Sequence, residues 1–212
     1  MKRLLIVLIL FFSYTTYSQT AEEYFNKGID KEINGDMHGA IDYYNKAIKK
    51  AHKDSILFTS ALYVEIGRKQ LQLKEYKGAL DSFNKSWEIN PGLLDISLID
   101  EIKTKFKAGL INEEEIPHQL EHEMVNIPKY TGLAKSGLKD YRGAIEDFNI
   151  AIEVNPEDFM IYYLRGISKL ALKDFDGSCT DIRIAANMAP HGPNIPIEDL
   201  NSLLKFCNAN HP

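Results

Sequence analysis

Several kinds of chemistry lack their residues in this chain. It has no glycine-rich phosphate loop, no Cys-x-x-Cys pair and no Gly-x-Ser-x-Gly elbow. The usual phosphate cradle, redox pair and strained serine nucleophile are therefore missing. Cysteine is scarce, with only Cys179 and Cys207 among 212 residues, and there is one tryptophan. Cations are not in excess either. Lys and Arg number 25 against 30 Asp and Glu, a formal charge of −5. A mildly acidic surface argues against nucleic acid and anionic membrane as partners. No run of residues alternates as a strand would. What remains is ordinary for a globular chain, 44% hydrophobic and 26% charged, and suits one compact domain or a short repeat array.

The one long apolar run is too short to span a bilayer. Lys2 and Arg3 precede Leu4 to Phe12, and polar Ser13 to Ser18 follow. A spanning helix needs about 20 apolar residues, so a retained anchor is disfavoured. Charged start, apolar middle and small-residue exit instead match a secretory signal peptide over residues 1–18. Thr16 and Ser18 occupy the small positions before a cut that leaves Gln19 first. No cysteine follows the apolar run, so a lipid-modified N-terminus has no support. Cleavage removes two cations and no anion, making the chain more acidic. The expectation is an exported protein, periplasmic or extracellular, with no membrane attachment after cleavage.

The interior repeats itself. Gly132-Leu-Ala-Lys-Ser-Gly-Leu-Lys-Asp-Tyr-Arg-Gly-Ala144 aligns with Gly166-Ile-Ser-Lys-Leu-Ala-Leu-Lys-Asp-Phe-Asp-Gly-Ser178 at an offset of 34. Phe148 and Ile182, Ala151 and Ala185, then Pro156 and Pro190 keep the same step. That period marks a helical repeat array. The register extends backward through Tyr63, Gly67, Ala79, Phe83, Ser86 and Pro91, and through Tyr24, Gly28, Ala40, Tyr44 and Ala47.

Each unit reads as two helices of three to four turns joined by a short turn. Gly28, Gly67, Gly132 and Gly166 fall midway along the first helix, where glycine costs about 1 kcal/mol against alanine. A cost repeated at one register implies close contact with the facing helix. Ala40, Ala79, Ala144 and Ser178 are the small partners, and Tyr44, Phe83, Phe148 and Ile182 fill the space one turn on. Asp36, Glu75, Asp140 and Asp174 stand where a carboxylate caps the second helix. Pro91, Pro156 and Pro190 stop it.

These residues resemble the tetratricopeptide repeat (TPR) family over four units. The resemblance implies an all-α fold, a right-handed α-solenoid of stacked antiparallel helix pairs. Its units would be residues 21–54, 60–93, 125–158 and 159–192. Ser55 to Thr59 are additional, and the run after Asp54 suggests that they lengthen the next helix. Pro128 replaces the tyrosine of the other units, so the first helix of the third unit is expected to start late and be short. Residues 94–124 lack the glycine and alanine signature and read as a degenerate helix pair or an insertion that breaks the array. Residues 193–212 read as a capping helix over the last apolar face. Cys207 would end that cap near the edge where Cys179 begins the preceding helix. A disulfide and two buried thiols both fit, because Cys179 shares its register with Ile41, Leu80 and Ile145.

Repeats that touch only their neighbours curve, and first helices line the inner wall. In TPR proteins that wall binds an extended peptide or a partner helix. The resemblance places Phe25, Ile29, Val64, Arg68, Gln72, Leu133, Ser136, Tyr163 and Ile167 there, with packing between helices as the other reading for the apolar members. Some TPR proteins grip a terminal carboxylate with cations and asparagine. Phe25 and Ile29 occupy the corresponding places in the first repeat, so that clamp is absent. One catalytic pattern remains. His118-Gln-Leu-Glu121-His122 has the spacing of the inverted zinc-peptidase motif, with Glu198 as a conceivable third ligand. Known users of that motif are built on a large α/β fold, which this chain does not share, so a solvated helix face is the stronger reading. The expectation is a non-catalytic protein-interaction module without metal or cofactor, binding a protein or peptide. Self-association or membership of an envelope assembly through outer faces is the alternative, and zinc-peptidase action a distant third.

Overall fold

The computed structural model describes residues 20–53, 55–90, 118–188 and 197–210. All regular structure among them is helical. Nine helices are present, α1 (Ala21–Ile33), α2 (Met37–Lys50), α3 (Ile56–Gln72), α4 (Tyr76–Ile89), α5 (His118–Gly137), α6 (Tyr141–Val154), α7 (Phe159–Ala171), α8 (Phe175–Met188) and α9 (Ile197–Asn210). The chain forms two compact units, residues 1–55 and 56–212.

The first unit contains the α1–α2 hairpin. Thr20 and Glu23 close a reciprocal capping box at its start, which satisfies two otherwise unpaired amides. The ring of Tyr44 lies directly against Gly28, so any side chain at residue 28 would collide with it. The Tyr44 hydroxyl donates to Glu32 Oε2 at 2.9 Å, which pairs the polar end of a buried ring.

The second unit stacks three such hairpins and a last helix. Phe83 meets Gly67 and Phe148 meets Gly132 as Tyr44 meets Gly28, while Ile182 takes that place against Gly166. Neighbouring hairpins share their cores. Val64, Ala79 and Phe83 cluster with Ile127 and Ala134, and Phe83 stacks on Tyr130 with ring centroids 5.7 Å apart. Ala144, Phe148 and Ala151 cluster with Ile161 of the next hairpin. The second hairpin therefore packs straight onto α5. Residues 94–117, where most of the expected degenerate pair falls, lie outside the described residues.

Every turn inside a hairpin has the same chemistry. Gly35, Lys74, Lys139 and Lys173 have φ between 59° and 77°. Around each, two amides reach back to carbonyls of the preceding helix, for example Lys139 N to Ser136 O and Asp140 N to Lys135 O, both at 2.9 Å. This is the left-handed stop that glycine normally fills. Three of the four positions hold lysine instead. Asp36, Asp140 and Asp174 then accept from the amides of Gly39, Gly143 and Gly177 at 2.9, 3.1 and 3.0 Å. Glu75 makes no side-chain cap bond, so the expected cap is missing at α4. Asn90 and Asn155 follow α4 and α6 with φ −133° and −136°, outside the helical region, as a following proline favours.

One expectation is overturned. The first helix of the third repeat does not start late: α5 runs for 20 residues straight through Pro128. Proline at residue 128 removes one N–H from the helix ladder, a cost of about 3 kcal/mol. The turn is held regardless, because Asn126, Ile127 and Pro128 are all buried and Tyr130 is stacked on Phe83. The Thr131 hydroxyl also donates to the Pro128 carbonyl at 3.1 Å. Residues 118–124, expected from the sequence to precede the repeat, are thus the opening turns of its first helix.

At the other end α9 lies on α8. Leu200 and Cys207 are buried with Ile182 and Ala185, and Leu203 and Leu204 pack around them. Cys179 and Cys207 are bonded to each other, with Cα atoms 5.3 Å apart. Asp199, Asn201, Ser202, Lys205 and Asn208 face outward. A polar outer face is what the last element of a stack requires.

Candidate functional site: the wall of first helices

In the second unit α3 touches α5 and α5 touches α7, so the three first helices stand in a row. Their placement follows from the glycine nests, which seat each first helix on its own second helix. The polar groups that orient the row come in pairs twelve residues apart. Gln70 accepts from Ser82 at 2.7 Å. Lys135 pairs with Asp147 at 2.8 Å, and Lys169 with Asp181 at 2.8 Å. Each pair ties a first helix to its own second helix. Asp181 is buried and also takes a two-pronged bond from Arg165 at 2.8 and 2.7 Å. Arg165 reaches Asn149 of the preceding hairpin at 2.7 Å, and Lys129 reaches Asp158 of the following one at 2.8 Å. These ties were not anticipated from sequence, although the spacing across each turn is visible there.

The residues expected on the wall fall into three groups. Val64 is only 2% exposed and belongs to the shared core, so it is a packing residue. Arg68, Leu133, Ser136, Tyr163 and Ile167 are half-buried, and Gln72 is exposed. Arg68 donates to Glu65 Oε1 at 2.7 Å and lies 5.8 Å from the Tyr130 ring centroid. Ser136 and Ser168 hydroxyls are 3.5 Å apart, joining α5 to α7. Burial, and after it the Asp199 carboxylate, hold the Tyr163 phenol above its ordinary range. In the first unit Phe25 and Ile29 are half-buried, and Phe25 packs on Tyr44 with centroids 5.9 Å apart. Lys129 and Tyr130 were missed. They lie between Arg68 and Leu133 in the row, where an aromatic flanked by two cations meets half-open apolar side chains.

The wall is apolar with isolated charge. Among the described residues it carries no carboxylate pair and no nucleophile set against a base. The backbone of the His118–His122 motif forms the first turns of α5, but the side chains of residues 118–125 and 198 lie outside the described residues. Among the described residues no three His, Cys, Asp or Glu side chains gather as a metal cage.

This architecture is the TPR-type α-solenoid fold. Solved structures of that kind match it over most of its length. MamA from Desulfovibrio magneticus RS-1 aligns with TM-score 0.64 and 16% identity, covering 89% of this chain and 84% of that one. A MamA RS-1 double mutant gives 0.64 and 15%, covering 89% and 83%. A tetratricopeptide repeat protein from Parabacteroides merdae gives 0.60 and 17%, covering 90% of this chain and 60% of that one. Likeness at such identity shows the fold alone. No family model matches the sequence, and neither does any curated protein.

Proposed function

We propose that this chain is an exported, non-catalytic protein-interaction module whose partner polypeptide lies along α3, α5 and α7. The observation that carries the reading is a row of half-open apolar side chains on the first helices. Phe83, Phe148 and Ile182 of the second helices are fully buried against those first helices. First helices leave Leu133, Tyr163 and Ile167 half-open in one row. Such a row suits side chains of an extended or helical partner. Export is supported by the pattern of residues 1–18 and by the Cys179–Cys207 bond, since disulfides persist in oxidising compartments. Among the described residues no helix is long and apolar enough to cross a membrane.

The test is selection of binders from a random-sequence peptide display library on the mature chain. Leu133→Arg with Ile167→Arg is expected to weaken the selected peptides at least tenfold, while Trp87→Lys on an outer face leaves them unchanged. Long cations at half-open sites keep their heads in water, so folding checked by circular dichroism should survive. Self-association is a second reading, favoured by Trp87 (41% exposed) and by half-exposed Phe175 and Phe206, whose rings pack together. A dimer in sedimentation that Trp87→Lys or Phe206→Lys abolishes, with no wall-dependent peptide found, would put that reading first. N-terminal sequencing of protein from the exported fraction should begin at Gln19.

A further inference from the structure

We propose that the C-terminal end of the stack is closed by oxidation: α9 stays docked on α8 only once Cys179 and Cys207 are joined, and the reduced chain leaves that apolar end open. The inference shares Tyr163 with the wall of first helices but does not depend on what that wall binds.

Three observations carry it. First, among the described residues α9 has one second helix, α8, as its main support, whereas α5 and α7 each lie between two second helices. A helix of 14 residues has little stability of its own in water. At the register where those helices nest through glycine, α9 has Leu200. Second, its buried stripe is narrow. Leu200, Leu203, Leu204 and Cys207 face inward and Phe206 adds a half-exposed ring against Phe175 of α8, so a few apolar side chains must offset the ordering of the whole helix. Third, what it covers is apolar: Ile182 and Ala185 of α8 lie in one cluster with Leu200 and Cys207, and Phe159, Met160, Tyr162 and Tyr163 of α7 pack against that cluster.

The bond spans 28 residues. Loop-closure entropy for that span favours the docked state by about 400-fold at 25 °C. Both cysteines are 1% exposed, so the docked helix shields the bond from reductants. The device is therefore a closure made once after export, rather than a rapidly cycling switch. In chemical terms, one cysteine thiolate attacks the disulfide of an oxidant and forms a mixed disulfide, expelling one oxidant thiolate. The second cysteine thiolate then attacks the cysteine sulfur of that mixed disulfide. The Cys179–Cys207 bond forms and the oxidant leaves as a dithiol, having gained the two electrons and two protons that the cysteines lost.

The experiment is hydrogen exchange by mass spectrometry on the full mature chain, oxidised and after reduction with a phosphine. The Cys179→Ala/Cys207→Ala chain serves as a second route to the unbonded state. Peptides covering residues 197–210 should lose protection by a factor between about 10 and about 400. Peptides from α3 to α6 should keep theirs, and reoxidation with glutathione disulfide should restore the cap. Equal protection of residues 197–210 in both states would overturn the proposal, because packing alone would then suffice. Loss of protection across α3 to α6 would overturn it too, since the bond would be holding the whole unit. Disulfide-linked dimers as the main oxidised product would replace intrachain closure by exchange of α9 between copies.

Discussion

Adding a single methyl group at Gly132 and at Gly166 should have opposite consequences, although the two glycines occupy the same place in successive repeats. Alanine gains about 1 kcal/mol of helix propensity at either position. At Gly132 the new Cβ would stand 2.6 Å from Phe148 Cε1 and 3.0 Å from Cζ. Phe148 is fully buried among Ala144, Ala151 and Ile161, and a rigid ring so enclosed cannot turn aside. Overpacking of this kind costs about 1–3 kcal/mol, and contact inside 3 Å with a ring belongs in the upper half of that range, about 2–3 kcal/mol. A net loss of about 1–2 kcal/mol follows. At Gly166 the new Cβ would stand 3.1 Å from Ile182 Cδ1 and 3.3 Å from Asp181 Cβ. The end of an isoleucine can give by a few tenths of an ångström, so the propensity gain roughly cancels the strain or exceeds it slightly. Thermal unfolding followed by circular dichroism should show Gly132→Ala lowered by about 3–6 °C and Gly166→Ala unchanged or slightly raised. Phe148→Leu should relieve the first clash, so that the double variant loses about 1 kcal/mol less than the two single losses combined. A Gly132→Ala chain as stable as the parent, or equal shifts at both glycines, would refute the nesting argument.

Other predictions follow from the same contacts. Lys139→Gly relieves the left-handed strain at φ 65° and should stabilise by about 0.5–1 kcal/mol after the entropy of glycine in the unfolded chain is subtracted, read as a raised denaturant midpoint. Glu75→Asp should supply the missing cap of α4 and stabilise by about 0.5–1 kcal/mol, whereas Asp140→Ala should cost about 1 kcal/mol at α6. Asp181→Asn should cost about 3 kcal/mol, because it leaves Arg165 and Lys169 without their shared carboxylate. In alkali the unfolded Tyr163 ionises first, from its ordinary 10.0, while the folded phenol holds its proton longer. Stability should therefore be insensitive to this group below pH 10 and fall as pH rises above it, and Tyr163→Phe should flatten that fall in pH-dependent melting.

The parts of the fold that could be read directly were those in which one physical demand recurs at one spacing. Gly67 against Phe83 and Gly132 against Phe148 each state the same steric need, and repetition makes it legible. Local rules failed where tertiary packing opposed them. Pro128 was expected to delay its helix, yet burial of its neighbours and the Tyr130–Phe83 stack keep the turn in place. Glu75 matched the register of three aspartates, but capping depends on the reach of one methylene. Lys74, Lys139 and Lys173 align with Gly35, so the left-handed turn was written in the sequence, but lysine hid it. Of the wall, Arg68, Gln72, Leu133, Ser136, Tyr163 and Ile167 lie partly open. Val64 does not, because its surroundings depend on which helix lies beside α3. Lys129 and Tyr130 were not legible because they follow Pro128, whose local preference is for a helix start rather than a helix interior.

The most direct measurement of the central claim is carbene footprinting of the mature chain with and without a library-selected peptide. Labelling should fall at Leu133, Tyr163 and Ile167 and persist at Trp87 and Phe175. Protection of Trp87 or Phe175, with the first-helix side chains still labelled, would place the partner on the opposite face and contradict the account.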